Sequence, residues 1–172
     1  MISALTASPV LLVSLATVLG LLVGSFLNVV IHRLPLMLER EWRRQCAELR
    51  GEALPGEERF NLFFPRSRCP ACGSPIGALY NIPLVSWFSL RGRASCCGAS
   101  ISARYPVVEA LSGLVSGYVA WRFGLSPAGI GALVFCWALI AAAFIDLETQ
   151  LLPDDITLPL LWLGLLANTA GL

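Results

Sequence analysis

From Val10 to Ile31 the chain reads VLLVSLATVLGLLVGSFLNVVI, and no charged residue occurs anywhere between Met1 and Ile31. About 20 apolar residues match the hydrocarbon thickness of a bilayer, so this stretch reads as a first membrane span. A secretory signal peptide would carry positive charge before its apolar run and a small-residue cleavage site after it. Here the charge follows, with Arg33, Arg40, Arg43 and Arg44 directly after the span. The positive-inside bias therefore directs the C-terminal end of the span to the cytoplasm.

The remainder keeps this character. Of 172 residues 56% are apolar and only 13% charged, against about 25% charged in ordinary soluble domains, and the mean hydropathy is +0.73. That composition excludes a disordered tail, a basic nucleic-acid arm and a collagen-like repeat. A second span is expected from Tyr105 to Trp121, interrupted only by Glu109, and a third from Phe123 to Ile145, with a short turn at Arg122 to Pro127. A fourth apolar stretch, Ile156 to Leu172, sits at the short end of what crosses a bilayer. Eleven of the 12 Arg lie between Arg33 and Arg104 together with six Glu, so this segment is basic and should face the cytoplasm. The expected architecture is an all-α polytopic membrane protein with about four transmembrane helices and a small loop-rich insertion resembling a zinc knuckle. Residues 1–31 form the first transmembrane helix, 32–104 the cytoplasmic loop, and 105–172 helices two to four.

Within the loop, Glu39 to Ala53 reads as a charged helix with Trp42, Cys46, Leu49 and Ala53 on one face, ended by Pro55-Gly56. From Phe60 to Arg104 Pro, Gly, Cys and aromatics dominate, as in a module too small to build a core without a staple. Cys69-Pro70-Ala71-Cys72-Gly73 has the form of a knuckle holding one side of a tetrahedral metal. Cys96-Cys97-Gly98 follows at a suitable separation, although side chains of adjacent residues diverge unless the backbone bends. The set completes as Cys69, Cys72 and Cys97 with either Cys96 or a non-cysteine ligand. Cys46 and Cys136 read as small apolar fillers.

Gly20, Gly24, Asn28 and His32 recur every fourth residue and form a stripe expected to face protein. Ser112, Gly113, Ser116 and Gly117 give the second span a similar face, one turn beyond Glu109. A carboxylate there is costly unless it faces a wet cavity or a cation, which makes Glu109 a functional candidate by default, with a pair to Arg104 or another loop arginine as the milder explanation. The sharpest candidate for chemistry is Asp146, placed where the third span meets the cytoplasmic interface, a depth at which desolvation suits a carboxylate to acid–base work on a peptide bond. Asp154 and Asp155 read as caps of the fourth helix.

At these residues the chain resembles the type IV prepilin leader peptidases, polytopic aspartic proteases of the bacterial inner membrane. The matching segments are Gly24 to Pro35, Cys69 to Cys72, Tyr80 to Trp87, Arg104 to Glu109 and the Asp146 segment. The resemblance implies removal of the positively charged leader from prepilins and pseudopilins on the cytoplasmic side. In many members it also implies N-methylation of the new N-terminus with S-adenosylmethionine. It makes Asp146 the first catalytic aspartate and maps the family's four-cysteine motif onto Cys69, Cys72 and Cys97, with the remaining position at Ala94 and Cys96 as its substitute. The second aspartate of the family lies in a GxGD-like motif, which this sequence lacks. The expectation is the N-terminal part of such an enzyme, inactive alone. The competing functions are a non-catalytic membrane protein that binds pilus or secretion partners through its zinc loop, and transport along a Glu109/Asp146 pathway.

Overall fold

The computed structural model describes residues 8–52, 60–65, 69, 71–75, 77 and 83–171. Among these there are five helices and no strand: α1 (Pro9–Arg50), α2 (Val85–Ser89), α3 (Arg104–Phe123), α4 (Pro127–Thr149) and α5 (Asp154–Thr169).

Helix α1 begins where the sequence supplies a start signal. Ser8 is the N-cap, its hydroxyl accepting the Leu11 N–H at 3.4 Å, and Pro9 occupies the first turn, where a missing N–H is harmless. It ends at Gly51, whose φ of 67° is the left-handed conformation that closes a helix at low steric strain. The span and the charged helix expected from Glu39 are thus one element of 42 residues, passing through Pro35. Its stop is Gly51; Ala53, Pro55 and Gly56 lie outside the described residues. At 1.5 Å per residue α1 is about 63 Å long, twice a bilayer's hydrocarbon core, so its charged end projects well beyond the apolar part. That end carries exposed pairs from Glu39 to Arg43 and from Glu41 and Glu48 to Arg44, each adding little in water.

Helices α3 and α4 form a hairpin across the turn expected near Arg122 to Pro127, and α4 starts with the same device as α1: Ser126 accepts the Gly129 N–H and Pro127 follows. Among the described residues two helices, α1 and α4, are long and apolar enough to cross a membrane. Helix α3 carries Arg104, Glu109 and Arg122, and α5 has 16 residues. Asp154 and Asp155 do not cap α5: Pro153 is its N-cap residue, and the two carboxylates sit in the first turn, where negative charge complements the helix dipole.

The most extensive packing is between α1 and α3. Gly20, Gly24, Asn28, Ser112, Gly113, Ser116 and Gly117 are all buried, as the two small-residue stripes require. His32 is exposed, contrary to the expected stripe. A strict four-residue step drifts on a 3.6-residue helix, so that His32 stands about 120° away from Gly20, whereas Ile31 is only about 20° away. Ile31 takes the seam position and is fully buried with Leu27, Leu34, Val108, Ile140, Ala141 and Ile145.

A Cβ added at Gly24 would stand 2.7 Å from the Glu109 Cα, a backbone atom that cannot swing aside. Gly24→Ala should therefore force α1 and α3 apart and destabilise the fold by ~1–3 kcal/mol. Gly164→Ala, with nothing within 4 Å of the added atom, should be near neutral or stabilising. Denaturant-induced unfolding in detergent micelles reads the difference.

Candidate metal centre and carboxylate site

The cysteine module is built from two backbone turns of the same design. In the first, the Gly73 N–H donates to the Cys69 carbonyl at 2.8 Å and the Cys69 N–H to the Ser74 carbonyl at 2.8 Å. In the second, the Gly98 N–H donates to the Ala94 carbonyl at 2.8 Å and the Ala94 N–H to the Ala99 carbonyl at 2.8 Å. Gly73 and Gly98 both take positive φ, 72° and 70°, a conformation that glycine adopts without steric penalty. Ala94 thus stands where Cys69 stands in the first turn, and Cys97 where Cys72 does. The turn from Ser95 to Cys97 bends the backbone enough for Cys96 to supply a fourth thiol.

The four sulfurs of Cys69, Cys72, Cys96 and Cys97 lie within 4.8 Å of one another, with Cys69 Sγ 3.7 Å from Cys97 Sγ and Cys72 Sγ 3.2 Å from Cys96 Sγ. Metal–thiolate bonds of about 2.3 Å in a tetrahedron put sulfurs about 3.8 Å apart, so the donor set fits a thiophilic divalent ion. Cys69 is buried and the other three are exposed. The Ser74 hydroxyl and backbone N–H lower the Cys72 thiol to about 6, and the backbone N–H groups of Cys72 and Ala71 lower Cys69. The neighbouring Cys72 and Cys69 thiols push Cys96 up to about 12. Four sulfurs this close cannot all ionise without a cation to offset their mutual repulsion.

Behind the second turn, the Trp87 ring lies against Gly92, and its Nε1–H donates to the Ile101 carbonyl at 3.3 Å. The Ile101 N–H in turn donates to the Gly92 carbonyl at 2.7 Å. Arg33 anchors another part of the loop. Its guanidinium, largely buried at the end of the span, donates to the carbonyls of Asn61 at 2.8 Å and Pro65 at 2.6 Å, and Arg40 lies 4.0 Å over the Phe60 ring. This anchor was not foreseen from the sequence, where Arg33 carries only a topological signal.

Asp146 lies in the last turn of α4 and is exposed, next to fully buried Ile145, which fixes this end of α4 against α1 and α3. The Asp146 carbonyl accepts the N–H of Gln150, the left-handed C-cap residue. Two residues on, Glu148 pairs with Arg104 from the first turn of α3. Arg104 therefore does not partner Glu109, as the sequence suggested; it ties the starting end of α3 to the turn that carries Asp146. Glu109 instead accepts a backbone N–H from Leu84 at 2.8 Å. The structure thus groups the four cysteines in one place, while the Glu148–Arg104 pair ties the turn of α4 that carries Asp146 to α3.

Among the described residues, large apolar side chains on the outside, small and polar ones between the helices, and a thiol cluster on the connecting loop make an all-helical chain with two helices apolar enough to cross a membrane and a cysteine cluster that could hold a metal. A family model described as the Bacterial Peptidase A24 N-terminal domain matches residues 18–123, and one described as the Type IV leader peptidase family matches residues 133–172. The chain belongs to this peptidase family. Its relatives include proteins named prepilin leader peptidase/N-methyltransferase: that of Stutzerimonas stutzeri is 56% identical over 98% of this chain and 58% of its own length. That of Pseudomonas aeruginosa is 50% identical over 98% and 58%, and that of Neisseria gonorrhoeae 51% over 92% and 56%. The chain spans somewhat more than half the length of these curated relatives. No solved structure matches it significantly.

Metal binding to thiols releases protons, so occupancy of the cluster should fall as pH is lowered from 7.5 towards 5. Elemental analysis of the purified chain should find about one divalent ion at pH 7.5. Cys96→Ser should lower this at least about tenfold, and adding Ala94→Cys to Cys96→Ser should restore it by returning the thiol to the equivalent position of the first turn.

Proposed function

We propose that this chain supplies the first catalytic carboxylate, Asp146, and the metal-stapled cytoplasmic module of an inner-membrane aspartic endopeptidase that removes the leader of type IV prepilins and pseudopilins. The observation that carries this reading is the position of Asp146. It is an exposed carboxylate at the end of an apolar helix long enough to span a bilayer, inside the segment matched to the leader peptidase family. In such chemistry one carboxylate, ionised, takes a proton from the attacking water while its neutral partner donates to the scissile amide, so two must lie close together. Among the described residues, Glu148 is committed to Arg104, while Asp154 and Asp155 belong to the first turn of another helix. On this proposal the second catalytic carboxylate lies in sequence outside these 172 residues, so that the chain alone does not cleave.

The arginine-rich segment from Arg33 to Arg104 supports a cytoplasmic loop, the side on which the leader is cut. Zinc is the ion proposed for Cys69, Cys72, Cys96 and Cys97. It would supply a structural tether that closes the module, and Asp146 would act on water independently of it. The relatives' names include N-methyltransferase, which extends the proposal to methylation of the new N-terminus with S-adenosylmethionine; no residue is assigned to that step.

The test is prepilin cleavage in membranes by three proteins: this chain, this chain fused to the C-terminal spans of a full-length relative, and the fusion carrying Asp146→Asn. The fusion should cleave, the unfused chain should not, and Asp146→Asn should lower the fusion's rate by at least about 100-fold. Cleavage by the unfused chain would overturn the two-carboxylate reading, and an active Asp146→Asn fusion would overturn the assignment of Asp146.

A further inference from the structure

Glu109 is a buried carboxylate that the proteolytic chemistry does not use. It sits on α3 against Gly24 of α1, and its carboxylate accepts the Leu84 N–H at 2.8 Å, with the Ser25 side chain also hydrogen-bonded to it. Leu84 has φ 58° and ψ −47°, and the Val85 N–H donates to the Pro83 carbonyl at 2.6 Å. Three residues closed by such a bond with positive φ at the centre form the rare, strained hand of the γ-turn, which a leucine does not adopt unaided. Strain of this kind persists only where the surroundings over-determine it. Here the fixing contact is a carboxylate acceptor presented to the Leu84 N–H from the membrane-facing helix pair.

The turn leads directly into α2. Trp87 of that helix packs on Gly92 and bonds to Ile101, and the antiparallel bridge of Arg93 with Ser100, followed by the Ala94 N–H donating to the Ala99 carbonyl, then opens the second cysteine turn. A continuous set of contacts therefore runs from Glu109 through Leu84 and Trp87 to Cys96 and Cys97. Asp146 is held by a different route, through Ile145 and the Glu148–Arg104 pair.

We propose that Glu109 is a positioning residue: as a hydrogen-bond acceptor for Leu84, it seats the cysteine module on the α1–α3 pair and so sets where a prepilin docks relative to Asp146. This rests on the peptidase reading above. It also assigns Glu109 a fixed acceptor role and no part in carrying protons. Because Asp146 is tethered separately, loss of the seat acts on substrate docking and leaves the chemical step in place.

The experiment uses the active fusion for kinetics and the 172-residue chain in detergent for hydrogen exchange. Glu109→Ala should raise KM for prepilin at least about fivefold with kcat within about twofold, and speed exchange in the peptide containing Leu84 about tenfold. Glu109→Gln, which keeps an acceptor oxygen at the same reach, should restore both to within about twofold. Leu84→Gly added to Glu109→Ala should recover part of the lost KM, since glycine holds positive φ without help. If Glu109→Ala does not accumulate, Glu109→Asp, one methylene short of Leu84, should show the same pattern at about threefold. Unchanged KM and exchange in Glu109→Ala would overturn the proposal. So would a large loss of kcat in both Glu109→Ala and Glu109→Gln, the mark of a proton carrier. If the parent fusion fails to cleave, the peptidase reading falls, and the exchange data still decide whether Glu109 holds the turn.

Discussion

The close approach of α1 and α3 is the contact on which the other features depend. In a bilayer, burying leucine against leucine gains little over leaving it in lipid, so helices associate through tight backbone contact and interhelical hydrogen bonds. Gly20 and Gly24 of α1 meet Ser112, Ser116 and Glu109 of α3 at distances that leave no room for a side chain. Once the axes are this close, the Asn28 amide reaches the Tyr105 carbonyl at 3.0 Å. Helix α4 then settles against both, with Trp137 Nε1–H donating to Ser116 Oγ at 2.9 Å and Ile145 closing the end.

This order inverts that of a water-soluble fold. Asn28, Arg33, Glu109, Ser112 and Ser116 are buried, whereas Leu15, Val18, Leu22, Leu114, Trp121, Phe135 and Leu139 face outward. In lipid the polar groups must find partners inside, and the Asn28 amide N–H, Arg33, Glu109 and Ser116 do so on backbone carbonyls and N–H groups. The seam therefore carries specificity as well as packing, because the Asn28–Tyr105 bond requires a particular register of α1 on α3.

Much of this was legible in the sequence, since it follows from composition and periodicity. The uncharged runs gave α1 and α4, the small-residue stripes gave the seam, and the spacing of Cys69 and Cys72 from Cys96 and Cys97 gave the thiol cluster. What escaped detection depends on long-range geometry. Continuity of α1 through Pro35 was hidden because a proline reads locally as a break, whereas packing of Leu34 and Leu38 on the core holds the helix together across it. The partners of Glu109 and Arg104 were exchanged, since charge alone makes them a pair. A backbone N–H such as that of Leu84 leaves no mark in a sequence, and neither do the carbonyls of Asn61 and Pro65 that Arg33 takes. The capacity of Cys96 to join the cluster despite its neighbour Cys97 rests on a bend that residue types do not specify.

A helix about 63 Å long, half of it outside the hydrocarbon, behaves as a rigid mast. Arg33 and Arg40 fasten the 60–65 segment to it near the deck, so that segment travels with the mast. Membranes of different thickness impose different tilts on a span, and a tilt of about 10° carries a point 30 Å beyond the pivot through about 5 Å. The charged tip around Arg43 and Arg44 therefore amplifies whatever inclination the bilayer sets, converting lipid thickness into lateral displacement of the part of α1 that projects beyond it.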